Sequence, residues 1–132
     1  MDMGYDGMED VRLEQYVTEV MLEMGVPAHL KGYHYLRSSI VMAKEDMEVV
    51  GSVTKLLYPE IAKQYKTTEQ KVERAIRNAI EVSWTRGNAQ TFEELFGYSV
   101  QSGTGRPTNS EYIAQIADKI SLDMRSEMIK AV

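Results

Sequence analysis

Polar side chains that can each form more than one hydrogen bond are concentrated between residues 70 and 78. An arginine can bond both major-groove acceptors of guanine, and a glutamate can accept a hydrogen bond from the amino group of cytosine. These residue types therefore suggest the recognition of base edges in duplex DNA. On a helix, the side chains that would face outward together are Gln70, Lys71, Glu73, Arg74, Arg77 and Asn78.

Two of these side chains also have a simpler interpretation. Glu73 and Arg77 are four residues apart, which is the spacing of an ordinary ion pair on the exposed side of an amphipathic helix. The pattern alone does not separate this interpretation from base recognition, and both stay open.

The surrounding sequence has the pattern of a helix-turn-helix. A helix is predicted over about 68–85, and Thr67-x-x-Gln70 has the form of a capping box at its start. Pro59 suits the first turn of a shorter helix over 59–65, and Lys66-Thr67 supplies the turn. Ala62 is small enough for the crossing point of the two helices. The apolar stripe of the second helix is Val72, Ala75, Ile76, Ala79 and Ile80.

The rest of the chain indicates an all-α fold of six or seven helices. Helices are predicted over about 9–24 and 31–45, and from about 48 to a break near Tyr58. Thr91 to Glu94 resembles a capping box for a short helix that ends at Gly97, residues 98–108 read as a loop, and the last helix begins near Asn109 or Ser110. We expect residues 1–10 to be a flexible acidic leader or linker remnant and residues 11–132 to form one domain.

The charge distribution permits binding to a polyanion despite a net charge of −5. Residues 1–23 hold seven acidic residues and one arginine, whereas the segment from Lys55 to Arg86 has seven basic and four acidic residues. No apolar run approaches the roughly 20 residues that span a bilayer, and the start of the chain is unlike a signal peptide. We expect a cytoplasmic protein without membrane association.

Residues that could support catalysis or metal binding are sparse. The chain has no cysteine, and its two histidines, His29 and His34, have no third ligand nearby. Capping and the helix dipole account for Glu93 and Glu94. We therefore expect neither enzymatic activity nor a cofactor.

Five blocks of the sequence together resemble a known family. They are GVPAHLKGYHYLR at 25–37, GSVTKLLYPEIAKQYKTT at 51–68, VERAIRNAIEVSWTRGN at 72–88, LFGYSV at 95–100 and PTNSEYIAQIADKI at 107–120. The stretch from about residue 19 to residue 123 is similar to the C-terminal effector domain of the master sporulation response regulator of endospore-forming bacteria. The resemblance implies a six-helix transcription regulator, an activator or repressor of sporulation genes, that binds promoter elements similar to TGTCGAA, often in tandem and as a dimer.

The resemblance also implies roles for individual residues. Base-reading positions would be Lys71, Glu73, Arg74 and Arg77, with lysine at 71 in place of arginine and Asn78 in place of histidine. The segment with Phe92, Leu95 and Phe96 would contact the RNA polymerase sigma factor, although the two phenylalanines also suit a core. We expect phosphate-contacting or supporting roles for Lys55, Lys63, Lys66, Thr67, Thr68, Gln70, Asn78 and Arg86.

One alternative function and one question of organisation stay open. A helical protein–protein module or anti-regulator could have kept this fold and lost DNA recognition. The receiver domain of the family is absent from this sequence, which fits either the effector half of a longer regulator or a receiver-less protein. In both cases we expect DNA binding that does not depend on phosphorylation.

Overall fold

The computed structural model describes the backbone of residues 3–97 and 106–131, and the side chains of residues 11–97 and 106–127. Within these ranges the chain is all-α, as predicted, with seven α-helices, one π-helical turn and no strand. The helices are α1 (Met3–Glu23), α2 (Lys31–Glu45), α3 (Glu48–Gly51), α4 (Tyr58–Gln64), α5 (Glu69–Arg86), α6 (Ala89–Phe96) and α7 (Asn109–Ala131), and the π-helical turn is Val53–Leu57.

Helix α2 lies at the centre of the fold and packs against α5, α7 and α1. Its inward residues follow the helical period and include Leu36, Ile40 and Ala43. Helix α7 buries Ile113, Ile116 and Ile120, whereas Val11 of α1 is half exposed. The fully enclosed core residues include Met21, Met24, Leu36, Ile40, Ile61, Ile76, Ile80, Ile113, Ile116 and Ile120.

A glycine allows α2 to approach α5 closely. A Cβ atom on Gly32 would lie 2.1 Å from the carbonyl oxygen of Ala75. The missing side chain of Gly32 therefore lets the backbones of α2 and α5 come together. This contact fixes α5 against the body of the domain.

Two predicted helix starts and one predicted helix cap are wrong. Helix α1 begins at Met3, before the predicted residue 9, so most of the expected leader is helical. Helix α5 is capped by Thr68 instead of Thr67, because the Thr67 amide donates to the carbonyl of Ala62 and thereby closes the preceding turn. Helix α6 is capped by Asn88, whose side chain accepts from two backbone amides, and so it begins before Thr91.

The predicted break near Tyr58 is confirmed. Helix α4 begins at that residue, and Pro59 occupies its first turn, where the missing amide hydrogen is not needed. Most of the predicted loop, residues 98–105, lies outside the described residues. In the described ranges, no helix combines the length and apolarity needed to cross a lipid bilayer.

Candidate nucleic-acid interface

Helices α4 and α5 form a helix-turn-helix whose turn is closed by two backbone hydrogen bonds. The Thr67 amide donates to the Ala62 carbonyl at 2.9 Å, and the Lys66 amide donates to the Lys63 carbonyl at 3.4 Å. This pair of bonds is a Schellman motif, which requires a left-handed residue directly after the helix. That residue is Lys66, with φ of 53°.

The same motif at the end of α1 contains a glycine. There the Val26 amide donates to Met21 and the Gly25 amide to Leu22, and Gly25 has φ of 79°. Glycine adopts this conformation without the steric penalty that a side chain brings. The helix-turn-helix therefore carries a lysine at a position where the backbone favours glycine.

The start of α5 is fixed by a side-chain cap. The Thr68 hydroxyl accepts a hydrogen bond from the Lys71 amide at 3.2 Å, which satisfies one of the free donors of the first turn. Behind the cap, the apolar stripe is buried at Val72, Ile76, Ala79 and Ile80. Ala75, which we also predicted to be inward, is only half-buried.

The opposite side of α5 presents the polar residues that the helical period places outward, and we call it the polar face. Most of these side chains are exposed, and Glu73 is half-buried. They occupy the N-terminal half of the second helix of the motif, the part that enters the major groove in helix-turn-helix proteins. The polar face consists of Gln70, Lys71, Glu73, Arg74, Arg77 and Asn78.

The ion pair between Glu73 and Arg77, which the sequence suggested as an alternative to base recognition, is present in the structure. Arg77 donates to the Glu73 carboxylate at 2.6 Å, with the two side chains 51% and 33% exposed. An exposed pair at this spacing is worth about 0.3–0.5 kcal/mol, whereas a good base contact contributes about 1–3 kcal/mol. The pair therefore orders the two side chains without preventing either from exchanging its partner for a base.

The N-terminal half of α5 is also connected to α4 and α7. The Asn109 side-chain amide donates to the hydroxyl oxygen of Tyr58 at 3.0 Å and to the backbone carbonyl of Glu73 at 3.2 Å. Burial raises the pKa of the Tyr58 hydroxyl, and the hydrogen bond with Asn109 opposes this shift. This link was not predicted from the sequence, because Asn109 is distant from both partners along the chain.

A family model described as Sporulation initiation factor Spo0A C terminal matches residues 17–120. The chain belongs to this family. The match includes α2 to α6 completely and the last third of α1, and it ends in α7 at Ile120, so the helix-turn-helix lies well inside it. Membership in the Spo0A C-terminal family makes the chain a DNA-binding domain of a sporulation transcription factor, not a member of an enzyme family.

Of the basic residues predicted to support DNA binding by this Spo0A C-terminal domain, three lie at or before the helix-turn-helix turn and one lies at the far end of α5. Lys63 and Lys66 are exposed at the helix-turn-helix turn, close in sequence to the polar face, and Lys55 is exposed on the π-helical turn before α4. Arg86 is the last residue of α5, about 22 Å from Lys71 at 1.5 Å per residue. The structure therefore does not bring Arg86 together with the N-terminal half of α5.

The aromatic residues of α6 are part of the core. The rings of Phe92 and Phe96 are 4% and 3% exposed, and Phe92 packs edge-on against Trp84 with ring centroids 4.9 Å apart. The core interpretation of these phenylalanines is the one observed, and neither ring is presented to a partner in this structure. Leu95 is half-buried, and the exposed residues of α6 include Gln90, Glu93 and Glu94.

Proposed function

We propose that this chain binds promoter elements similar to TGTCGAA in double-stranded DNA, with the N-terminal half of α5 in the major groove. The observation that carries the proposal is the polar face, in which Lys71, Arg74 and Arg77 are exposed on the side opposite the buried stripe. These residues follow one another at three-residue spacing, so their side chains form a basic row along one side of the helix.

Within this face Arg74 is the principal base reader. It is exposed and lies in the middle of the basic row, and its planar guanidinium can bond both acceptors of a guanine. Glu73 is suited to accept from a cytosine, and Arg77 is held beside it by their ion pair. Lys71 carries charge without the planar fork of arginine, so it contributes attraction with less discrimination between bases.

Phosphate contacts supply the part of binding that does not depend on sequence. Lys63 and Lys66 take this role from the exposed turn, and Thr68 and Gln70 take it from the start of α5. Asn78 continues the exposed side of the helix. Lys55 and Arg86 have supporting roles only, because Lys55 lies before α4 and Arg86 is the last residue of α5. Thr67 supports the turn through its amide, which donates to the Ala62 carbonyl.

Two partners belong to the proposal. On tandem elements, a second copy of the chain binds next to the first, and the half-exposed Leu122 on α7 is an apolar residue available for contact between copies. The RNA polymerase sigma factor is contacted through the exposed side of α6, next to Leu95. Activation or repression then depends on where the element lies relative to the polymerase.

The test compares two variants on two duplexes, one with the element and one with the same bases scrambled. Arg74→Ala should weaken binding to the element by about 1–3 kcal/mol and leave scrambled DNA nearly unaffected. Lys63→Ala should weaken binding to both duplexes equally and reduce the slope of log affinity against log salt by about one.

Fluorescence anisotropy at several salt concentrations measures both quantities. Equal losses for Arg74→Ala on the two duplexes would contradict its assignment as a base reader. Absence of binding to either duplex by the unmodified chain would favour the alternative function, a helical protein–protein module.

A further inference from the structure

We infer that Asn109 is a positioning residue for DNA recognition, a role that rests on the function proposed above. Asn109 is the first residue of α7, and it is half-buried. Its amide nitrogen donates both to the Tyr58 hydroxyl and to the Glu73 carbonyl, at 3.0 and 3.2 Å. One side chain therefore joins the first residue of α4, the start of α7 and the N-terminal half of α5, which we call the reading half because the proposed function places it in the major groove.

The position of the Glu73 carbonyl makes this link relevant to recognition. It lies in the backbone between Lys71 and Arg74, so a shift of this peptide moves the side chains on both sides of it. Base contacts need their donors held within about 0.5 Å and 10–20° of the productive geometry. A hydrogen bond to the backbone controls the translation and roll of the reading half more directly than a contact between side-chain tips.

A second link between α5 and α7 lies at the other end of α5. There the hydroxyls of Ser83 and Tyr112 are 2.8 Å apart in the core, and both side chains are fully buried. The C-terminal half of α5 is therefore tied to α7 by a buried pair of hydroxyls, and the half that carries the polar face is tied to α7 by Asn109. Loss of the Asn109 bond would let the Glu73 peptide shift relative to α7, while Val72 and Ile76 stay packed in the core.

The test measures the ratio of affinities for the element and the scrambled duplex. Asn109→Asp keeps the shape of the side chain but removes both donated hydrogen bonds, and Asn109→Ala removes them without adding charge. Because the added charge of aspartate affects both duplexes alike, the ratio isolates positioning. In both variants we expect the ratio to fall about fivefold, the equivalent of one net hydrogen bond.

The matched control is Asn88→Ala, which removes the cap of α6 far from the polar face. It should lower resistance to urea and leave the ratio unchanged, which separates positioning from general destabilisation. Tyr58→Phe removes one of the two acceptors. Its effect on the ratio should be less than additive with that of Asn109→Ala, because both changes break the same link.

The outcomes separate this inference from the proposed function. If the unmodified chain does not discriminate between the duplexes, the proposed function is wrong. If it discriminates and both Asn109 variants keep the full ratio, only the positioning role is wrong. Unfolding of both variants at 25 °C, seen by circular dichroism, would show that Asn109 is structural and would also overturn the inference.

Discussion

Replacement of Lys66 by glycine should stabilise the fold and weaken DNA binding at the same time. Lys66 has φ of 53° at the end of α4, in the position that Gly25 occupies after α1. The left-handed conformation costs a residue with a side chain about 1–2 kcal/mol. Glycine removes this cost, but its greater freedom in the unfolded chain returns about 0.4–1 kcal/mol.

The net gain from Lys66→Gly is therefore about 0.5–1 kcal/mol in the free energy of unfolding. For a chain of 132 residues this corresponds to a rise of about 2–4 °C in Tm. The same change removes one positive charge from the turn. If Lys66 contacts a phosphate, the steepness of log affinity against log salt should fall by about 0.9. The loss of affinity of the variant relative to the unmodified chain should then be about eightfold larger at 0.1 M salt than at 1 M.

Two controls separate the conformational effect from the charge effect. Lys66→Ala removes the charge and keeps the backbone strain, so it should bind DNA as weakly as the glycine variant without its gain in stability. Lys63→Gln removes a neighbouring charge from a regular helix and should change stability by less than about 0.5 kcal/mol. Urea unfolding and anisotropy at four salt concentrations give the required values.

The stability measurement and the salt dependence test two separate properties of Lys66. If the glycine variant is no more stable than the alanine variant, the left-handed conformation of Lys66 is not strained. If both variants keep the salt dependence of the unmodified chain, Lys66 does not contact a phosphate.

Three further changes test the packing and the electrostatics of the fold. Gly32→Ala should lower the free energy of unfolding by about 3 kcal/mol in urea titrations, because its Cβ would lie 2.1 Å from the Ala75 carbonyl oxygen; a loss below 1 kcal/mol would show that α2 can move aside. Ser83→Ala should cost about 1–3 kcal/mol by leaving the buried Tyr112 hydroxyl without its partner, and an unchanged Tm would contradict that network. Hydrogen bonds from Lys119 and Tyr16 lower the pKa of the Asp123 carboxyl group. The ionised carboxylate therefore stabilises the fold at neutral pH, and this contribution is lost as the pH falls through the lowered pKa. In Asp123→Asn, Tm measured from pH 7 to pH 3 should fall less steeply than in the unmodified chain; parallel curves would rule out this contribution.

The sequence predicted the faces of the long helices because their period is fixed by backbone geometry. The buried stripe of α5, with Val72 and Ile76 inward, follows from spacing alone, and so does the outward direction of Arg74. The turn was also predictable, since Lys66-Thr67 interrupts two helical patterns. These features depend on residues that are close together along the chain.

The features that sequence reasoning missed depend on competition or on distant contacts. Thr67 and Thr68 are equally good caps by type, and the choice falls on Thr68 because the amide of Thr67 already closes the preceding turn. Asn88 was a recognisable capping residue that a similar motif three residues later obscured. The link from Asn109 to the Glu73 carbonyl joins residues that only the packing of α7 against α5 brings together.

We propose that the polar face of α5 selects a particular DNA sequence. Selection of bound duplexes from a pool with a randomised central segment, followed by sequencing of the bound fraction, measures this selectivity. We expect enrichment of a motif similar to TGTCGAA, and loss of discrimination at one guanine of that motif when the selection is repeated with Arg74→Ala. A bound fraction with the same sequence distribution as the starting pool would show that the polar face does not read sequence.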